Sequence, residues 1–280
     1  MIGQRGGTKT ARVERYRDGS SQSRKDVLAV EEPLEIRVSW VGKEGRRVES
    51  IAITMRTPGN DFDLVAGFLR SEGVLSSASD VLELSYCQGP EEQEYNVVEA
   101  KLAPDVRFDL ELLRRNVFTN SSCGVCGKAS LEAVEAAGCQ LLPDGLKVDV
   151  ELITELPDRL LEQQAVFERT GGLHAAGLFD TSGKRQVVME DVGRHNAVDK
   201  VVGHELLARR LPASNKILVV SGRASFELVQ KAVTAGIPML VAVGAPSSLA
   251  VDLARRFKHT LVGFTRKGGF NVYTEHQRVE

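Results

Sequence analysis

Between residues 185 and 264 the chain alternates short apolar runs with amphipathic helical stretches, and this alternation constrains the fold more than any other feature. The pattern gives strands over 185–189, 216–220, 238–243 and 260–264, and helices over 195–210, 224–235 and 247–257. On the 195–210 helix Val198, Val201, Val202 and Leu206 share one face. Strands separated by helices of this length need crossover connections, so the second half is expected to be a layered α/β sheet. A further strand is expected over 165–179.

The first half reads differently. Residues 34–40 alternate apolar and polar, and 48–55 continue the alternation after a turn at Gly45, giving a hairpin. The stretch 57–61 breaks the strand and offers an N-cap to a helix carrying Phe62, Val65, Phe68 and Leu69 and ending at Gly73. A second strand pair is expected over 82–87 and 95–102. The fold class is therefore α+β and α/β: a flexible basic tail (1–27), a mostly-β N-terminal domain (28–145) and an α/β domain (146–280). The tail is assigned on its seven Lys and Arg before residue 26, interspersed with Gly and Ser.

Composition excludes several classes of function. The 36 Lys and Arg are balanced by 38 Asp and Glu, so no global basic field points to nucleic acid or a membrane surface, and any anion must be bound locally. No apolar run reaches transmembrane length and the start lacks a signal-peptide core, so a cytoplasmic protein is expected. Four cysteines in 280 residues are too few for a disulfide scaffold.

Two of the four, Cys123 and Cys126, flank Gly124 and Val125, and a helix is expected to begin at Lys128. Free N–H groups at a helix start favour thiolate over thiol. The spacing is open to a zinc site lacking a second close pair, to a thioredoxin-like dithiol lacking its βαβ context, and to a sulfur-carrying cysteine on a glycine-rich loop. Two packing cysteines are the plain alternative. A zinc deaminase site needs an upstream H-x-E, and no histidine precedes Cys123, so a deaminase site in that order is not available, and no structural metal is predicted.

Three strand-to-helix turns are rich in polar groups: 190–196 with Arg194 and His195, 221–225 with Ser221, Gly222, Arg223 and Ser225, and 244–248. If their strands run parallel they open on one sheet edge, where helix N-termini and arginines favour an anionic ligand. Ser225, Ser247 and Asn196 could equally be helix caps. His174 sits in the small-residue stretch 170–177, and Phe264, Thr265, Arg266, Lys267, Gly268 and Gly269 form a basic, glycine-rich loop.

The segments 123–130, 170–176, 190–200 and 221–231, supported by 57–61, 245–250 and 270–273, together resemble the FdhD-type formate dehydrogenase accessory sulfurtransferases over residues 33–273. The resemblance implies a protein that takes sulfane sulfur from a cysteine desulfurase as a persulfide on Cys123, assisted by Cys126. It then delivers that sulfur to a bis(molybdopterin guanine dinucleotide) molybdenum cofactor destined for formate dehydrogenase. It further implies a cofactor-binding loop at 264–269, a homodimer, and a second domain like the cytidine deaminase fold without its zinc. A non-catalytic, cofactor-binding chaperone for formate dehydrogenase is the alternative.

Overall fold

A computed structural model of the chain describes residues 6–42, 45–87, 95–111, 113 and 139–280. Strands β1 (Thr8–Arg17) and β2 (Ser20–Ala29) form a hairpin of their own. Strands β3 (Glu32–Gly42), β4 (Gly45–Arg56), β5 (Val81–Tyr86) and β6 (Val97–Leu102) make a four-stranded sheet in the order β4-β3-β6-β5. Helix α1 (Asp61–Ser71) packs on it, burying Leu64, Val65 and Leu69 against Leu34, Ile36, Val98 and Ala100.

The second half contains helices α2 (Val150–Leu161) and α3 (Ala165–Thr170), strands β7 (His174–Asp180) and β8 (Arg185–Asp191), and helix α4 (Arg194–Leu207). There follow β9 (Lys216–Val220), α5 (Phe226–Thr234), β10 (Met239–Ala242), α6 (Ser248–Arg256), β11 (Thr260–Arg266) and β12 (Gly269–Val272). The six strands form one sheet in the order β12-β11-β10-β9-β7-β8. Strands β9, β10 and β11 are parallel, as their helical crossovers require, while β7 runs antiparallel to both neighbours.

The central strands read as unbroken apolar runs because both faces are covered. Leu218, Val220 and Leu240 face a core completed by Val198 and Val201 of α4, Leu228 of α5 and Leu253 of α6. Their neighbours Ile217, Val219, Met239 and Val241 face Ile153, Leu156 and Leu160 of α2.

The two sheets are joined through α1 and α4, which cross at a pair of glycines. A methyl group on Gly67 would overlap the Asp199 carbonyl, and one on Gly203 would overlap the Asp63 carbonyl. Only glycine permits backbones to approach this closely.

Two expectations are corrected. Residues 8–29 are not a flexible tail: they pair over their full length about an Asp18-Gly19 turn with both φ positive, the geometry that matches strand twist in a two-residue hairpin. Residues 165–170 are helix, not the start of a strand. The Glu190 carboxylate accepts the Val166 and Phe167 N–H groups at the helix start (3.0 and 2.7 Å), and Gly171 ends it at φ 65°.

Candidate functional site

Because β8 is antiparallel to β7, and β7 to β9, strand β8 runs in the same direction as β9 and β10. The turns following these strands therefore open on one sheet edge, together with the start of β7 and the end of β11. His174 opens β7, Arg194 and His195 form the first turn of α4, and Ser221, Gly222, Arg223 and Ser225 connect β9 to α5. The turns also interlock: Gly244 N–H donates to the Gly222 carbonyl (3.0 Å), and Phe264 N–H to the Gly244 carbonyl (3.1 Å).

Gly222 lies between His174 and Arg194. A methyl there would stand 3.6 Å from His174 Nδ1 and 3.9 Å from Arg194 Cδ, ordinary contact distances that place both side chains against this turn. Arg194 Nε is buried and has no hydrogen-bond partner among the described residues. A guanidinium donor without an acceptor at a row of turns and helix starts suits an anionic ligand. Burial, reinforced by the Arg194 charge, lowers the His174 pKa. Burial, again with Arg194 and then Lys231 adding to it, lowers that of His195 to about 4. Both rings are therefore neutral near pH 7, when a neutral imidazole can accept as well as donate a hydrogen bond. His195 Nε2 lies 3.1 Å from Ser225 Oγ and 3.8 Å from a Glu227 carboxylate oxygen.

Other candidates are committed to structure. Ser221 Oγ accepts the Ala175 N–H (2.9 Å) and so braces the start of β7. Of the three residues weighed as helix caps, Ser247 is one, accepting Ala250 N–H. Ser225 occupies the N-cap position of α5, but its hydroxyl reaches His195 rather than a backbone N–H, and Asn196 bridges to β4. The 264–269 segment is mostly strand. Strand β11 runs to Arg266, Lys267 and Gly268 make the turn, and Gly269 opens β12. Phe264 adopts φ 55° beside a register shift, an uncommon conformation for an aromatic residue, and its ring is half exposed. Arg266 and Lys267 are exposed on the side of β10 away from Arg194. Cys123 and Cys126 lie outside the described residues.

A group that sequence reasoning did not assign holds the Arg194–His195 turn. Asp191 is fully buried and accepts four hydrogen bonds. Gly193 N–H (2.8 Å) and Asn196 Nδ2 (3.0 Å) reach one oxygen, and Thr57 N–H (3.2 Å) and Lys200 Nζ (2.7 Å) the other. Lys200, also buried, donates its remaining protons to the Thr57 and Glu190 carbonyls (2.9 and 3.2 Å). Asn196 Nδ2 also donates to Met55 O (2.8 Å), and Thr57 Oγ1 accepts Val192 N–H (3.2 Å). Every lone pair and proton of the Asp191–Lys200 pair is used, as a buried ion pair requires. Behind His195, a cavity of about 240 Å³ lies between the β3–β4 wall (Ile53, Thr54) and helices α1, α4 and α5, with Glu227 and Lys231 on its polar side.

Residues 29–280 match the model of the FdhD/NarQ family. The chain belongs to the FdhD/NarQ family. A sulfur carrier protein FdhD from Streptomyces coelicolor is 54% identical over 97% of this chain and 95% of its own length. One from Sulfurisphaera tokodaii is 44% identical over 97% and 98%. A crystal structure described as a formate dehydrogenase accessory protein, from Desulfotalea psychrophila, superposes with a TM-score of 0.74 at 26% identity, covering 98% of this chain and 99% of its own. The family member described here thus shares its fold along essentially the whole chain. Among its described residues no helix is long and apolar enough to cross a membrane.

Proposed function

We propose that this chain is a sulfurtransferase in formate dehydrogenase maturation. Its FdhD relatives are named sulfur carrier proteins and its structural neighbour a formate dehydrogenase accessory protein, which supports that role. Cys123 is the sulfur carrier: as a thiolate it attacks the outer sulfur of a cysteine desulfurase persulfide, the donor cysteine leaves as thiolate, and Cys123 holds the persulfide. The outer sulfur then passes to the molybdenum of the bis(molybdopterin guanine dinucleotide) substrate, taking two electrons from the metal to become a sulfide ligand and returning Cys123 to thiolate.

The observation carrying the substrate half of this reading is the sheet edge at which Arg194 keeps an unpartnered donor beside two neutral imidazoles and Gly222. Two pyrophosphates fit a row of helix starts and guanidinium groups, and such a local site needs no basic net charge. His174, His195, Arg194, Gly222, Arg223 and Ser225 are assigned to this edge, with Phe264 and the Arg266–Gly269 turn at its end. Cys126 assists Cys123. The family resemblance also supports a cytoplasmic homodimer.

Complementation tests the reading. In cells lacking their own FdhD protein, this chain restores formate dehydrogenase activity and its Cys123→Ala variant does not. Full activity with Cys123→Ala would leave only a cofactor-binding chaperone.

A further inference from the structure

We propose that the β1–β2 hairpin is a docking arm for an acidic face of a protein partner working at the Arg194 edge. The proposal rests on the sulfur-transfer reading for the identity of the partners, but the arm itself is read from geometry and charge.

Among the described residues β1 and β2 pair only with each other. Their outer half offers nothing to a core: residues 14–17 and 20–25 are exposed on both faces, and Tyr16 at the tip is 79% exposed. A two-stranded hairpin is marginal in water without packing on one face. Its charge adds to that cost. Residues 8–29 carry six of the 36 Lys and Arg but only three of the 38 Asp and Glu, in a chain that is net acidic. Arg12 stands directly opposite Lys25, and like charges at opposed positions destabilise a strand pair. Arg17 and Arg24 reach Asp18 and Asp26, whereas Arg12, Arg15 and Lys25 have no ion-pair partner among the described residues. An acidic surface laid on the arm would relieve this repulsion.

The root of the arm fixes where such a partner would sit. Val30 N–H closes the base on the Gly7 carbonyl (3.0 Å), a methyl on Gly7 would stand 3.3 Å from the Thr57 methyl, and one on Gly172 would stand 3.6 Å from Ala29 Cβ. Thr57 is bonded to Asp191 and Val192, and Gly172 lies two residues before His174. A macromolecule held by the arm is therefore held beside the edge. The family match begins at residue 29, so the arm precedes the shared body, while the Streptomyces coelicolor relative aligns over 97% of the chain. Glu14, Asp18 and Asp26 are interspersed among the cations. A continuous polyphosphate would meet these carboxylates, whereas a protein face of mixed but mainly negative charge can match them.

The test uses the full chain and its Arg12→Glu/Arg15→Glu/Arg24→Glu/Lys25→Glu variant, with circular dichroism confirming that the variant folds. Each is titrated against a cysteine desulfurase, apo-formate dehydrogenase and a DNA duplex at low and high salt. The variant is expected to bind one of the two proteins at least about tenfold more weakly, and the wild-type advantage to shrink as salt rises. An Arg12→Gln/Lys25→Gln variant falls between. Equal affinities of wild type and variant for both proteins overturn the arm, as does an effect confined to DNA. Persulfide formation on Cys123 at saturating desulfurase separates the two claims: persulfide on both forms with equal affinities sinks the arm alone, and persulfide on neither sinks the sulfur-transfer reading.

Discussion

Arg194 and Lys200 lie six residues apart on the same helix, yet their surroundings are opposite. Lys200 is sealed in, with its three protons and all the acceptor positions of Asp191 engaged. Arg194 opens on the sheet edge with a buried donor that nothing in the described protein accepts. A polar group satisfied on all sides positions its neighbours, because moving it would leave unpaired charge in a dry interior. A polar group left unsatisfied is what a ligand can complete. The contrast divides the helix start into a turn with an open donor and the brace that holds it.

The largest effect should come from breaking the brace. Lys200→Met leaves Asp191 buried without its cation, and we expect a loss of about 3–5 kcal/mol in urea unfolding. The double variant Lys200→Met/Asp191→Asn should recover part of it, and recovery of none would show that the two residues are not coupled. Arg194→Gln should do the reverse. Stability should stay within about 0.5 kcal/mol of wild type, while affinity for inorganic pyrophosphate by calorimetry drops by the roughly 1.5–3 kcal/mol of a charged hydrogen bond. If Arg194→Gln instead destabilises the fold and leaves binding alone, the division is wrong. Gly203→Ala pushes α4 away from α1 and should cost about 1–3 kcal/mol, read from the unfolding midpoint. The last effect concerns acid. The folded His195 pKa is about 4 against 6.5 for a free imidazole, so unfolding takes up a proton within that window. The stability this gives is complete above pH 6.5 and lost as pH falls towards 4. Relative to wild type, His195→Asn should show a shallower decline over that range.

The sequence revealed different parts of the molecule for different physical reasons. Strands β9 and β10 were legible because interior parallel strands are apolar throughout, and the turns after them declared the common edge once the strand directions were known. Helix α3 was not: Ala165, Val166 and Phe167 suit a buried strand, and the Glu190 carboxylate that starts the helix comes from over 20 residues away. The β1–β2 hairpin hid behind its composition. Polar side chains on both faces erase the alternation that marks a strand, leaving Asp18-Gly19 as the one local signal. The Asp191 brace carried no local signature, since Thr57 bonds Asp191 and Lys200 from 134 and 143 residues away. A lysine set among Val198, Val201 and Val202 was the available hint, because an unpaired cation does not persist in such surroundings. Cys123 and Cys126 were the reverse, plain in the sequence and outside the described residues.

The central claim is that Cys123 carries sulfur, and intact-protein and peptide mass spectrometry after incubation with a cysteine desulfurase and cysteine tests it most directly. The expected result is one additional sulfur, located on Cys123, removed by a thiol reductant and absent from Cys123→Ala. A protein of unchanged mass, or sulfur that persists in Cys123→Ala, would contradict it.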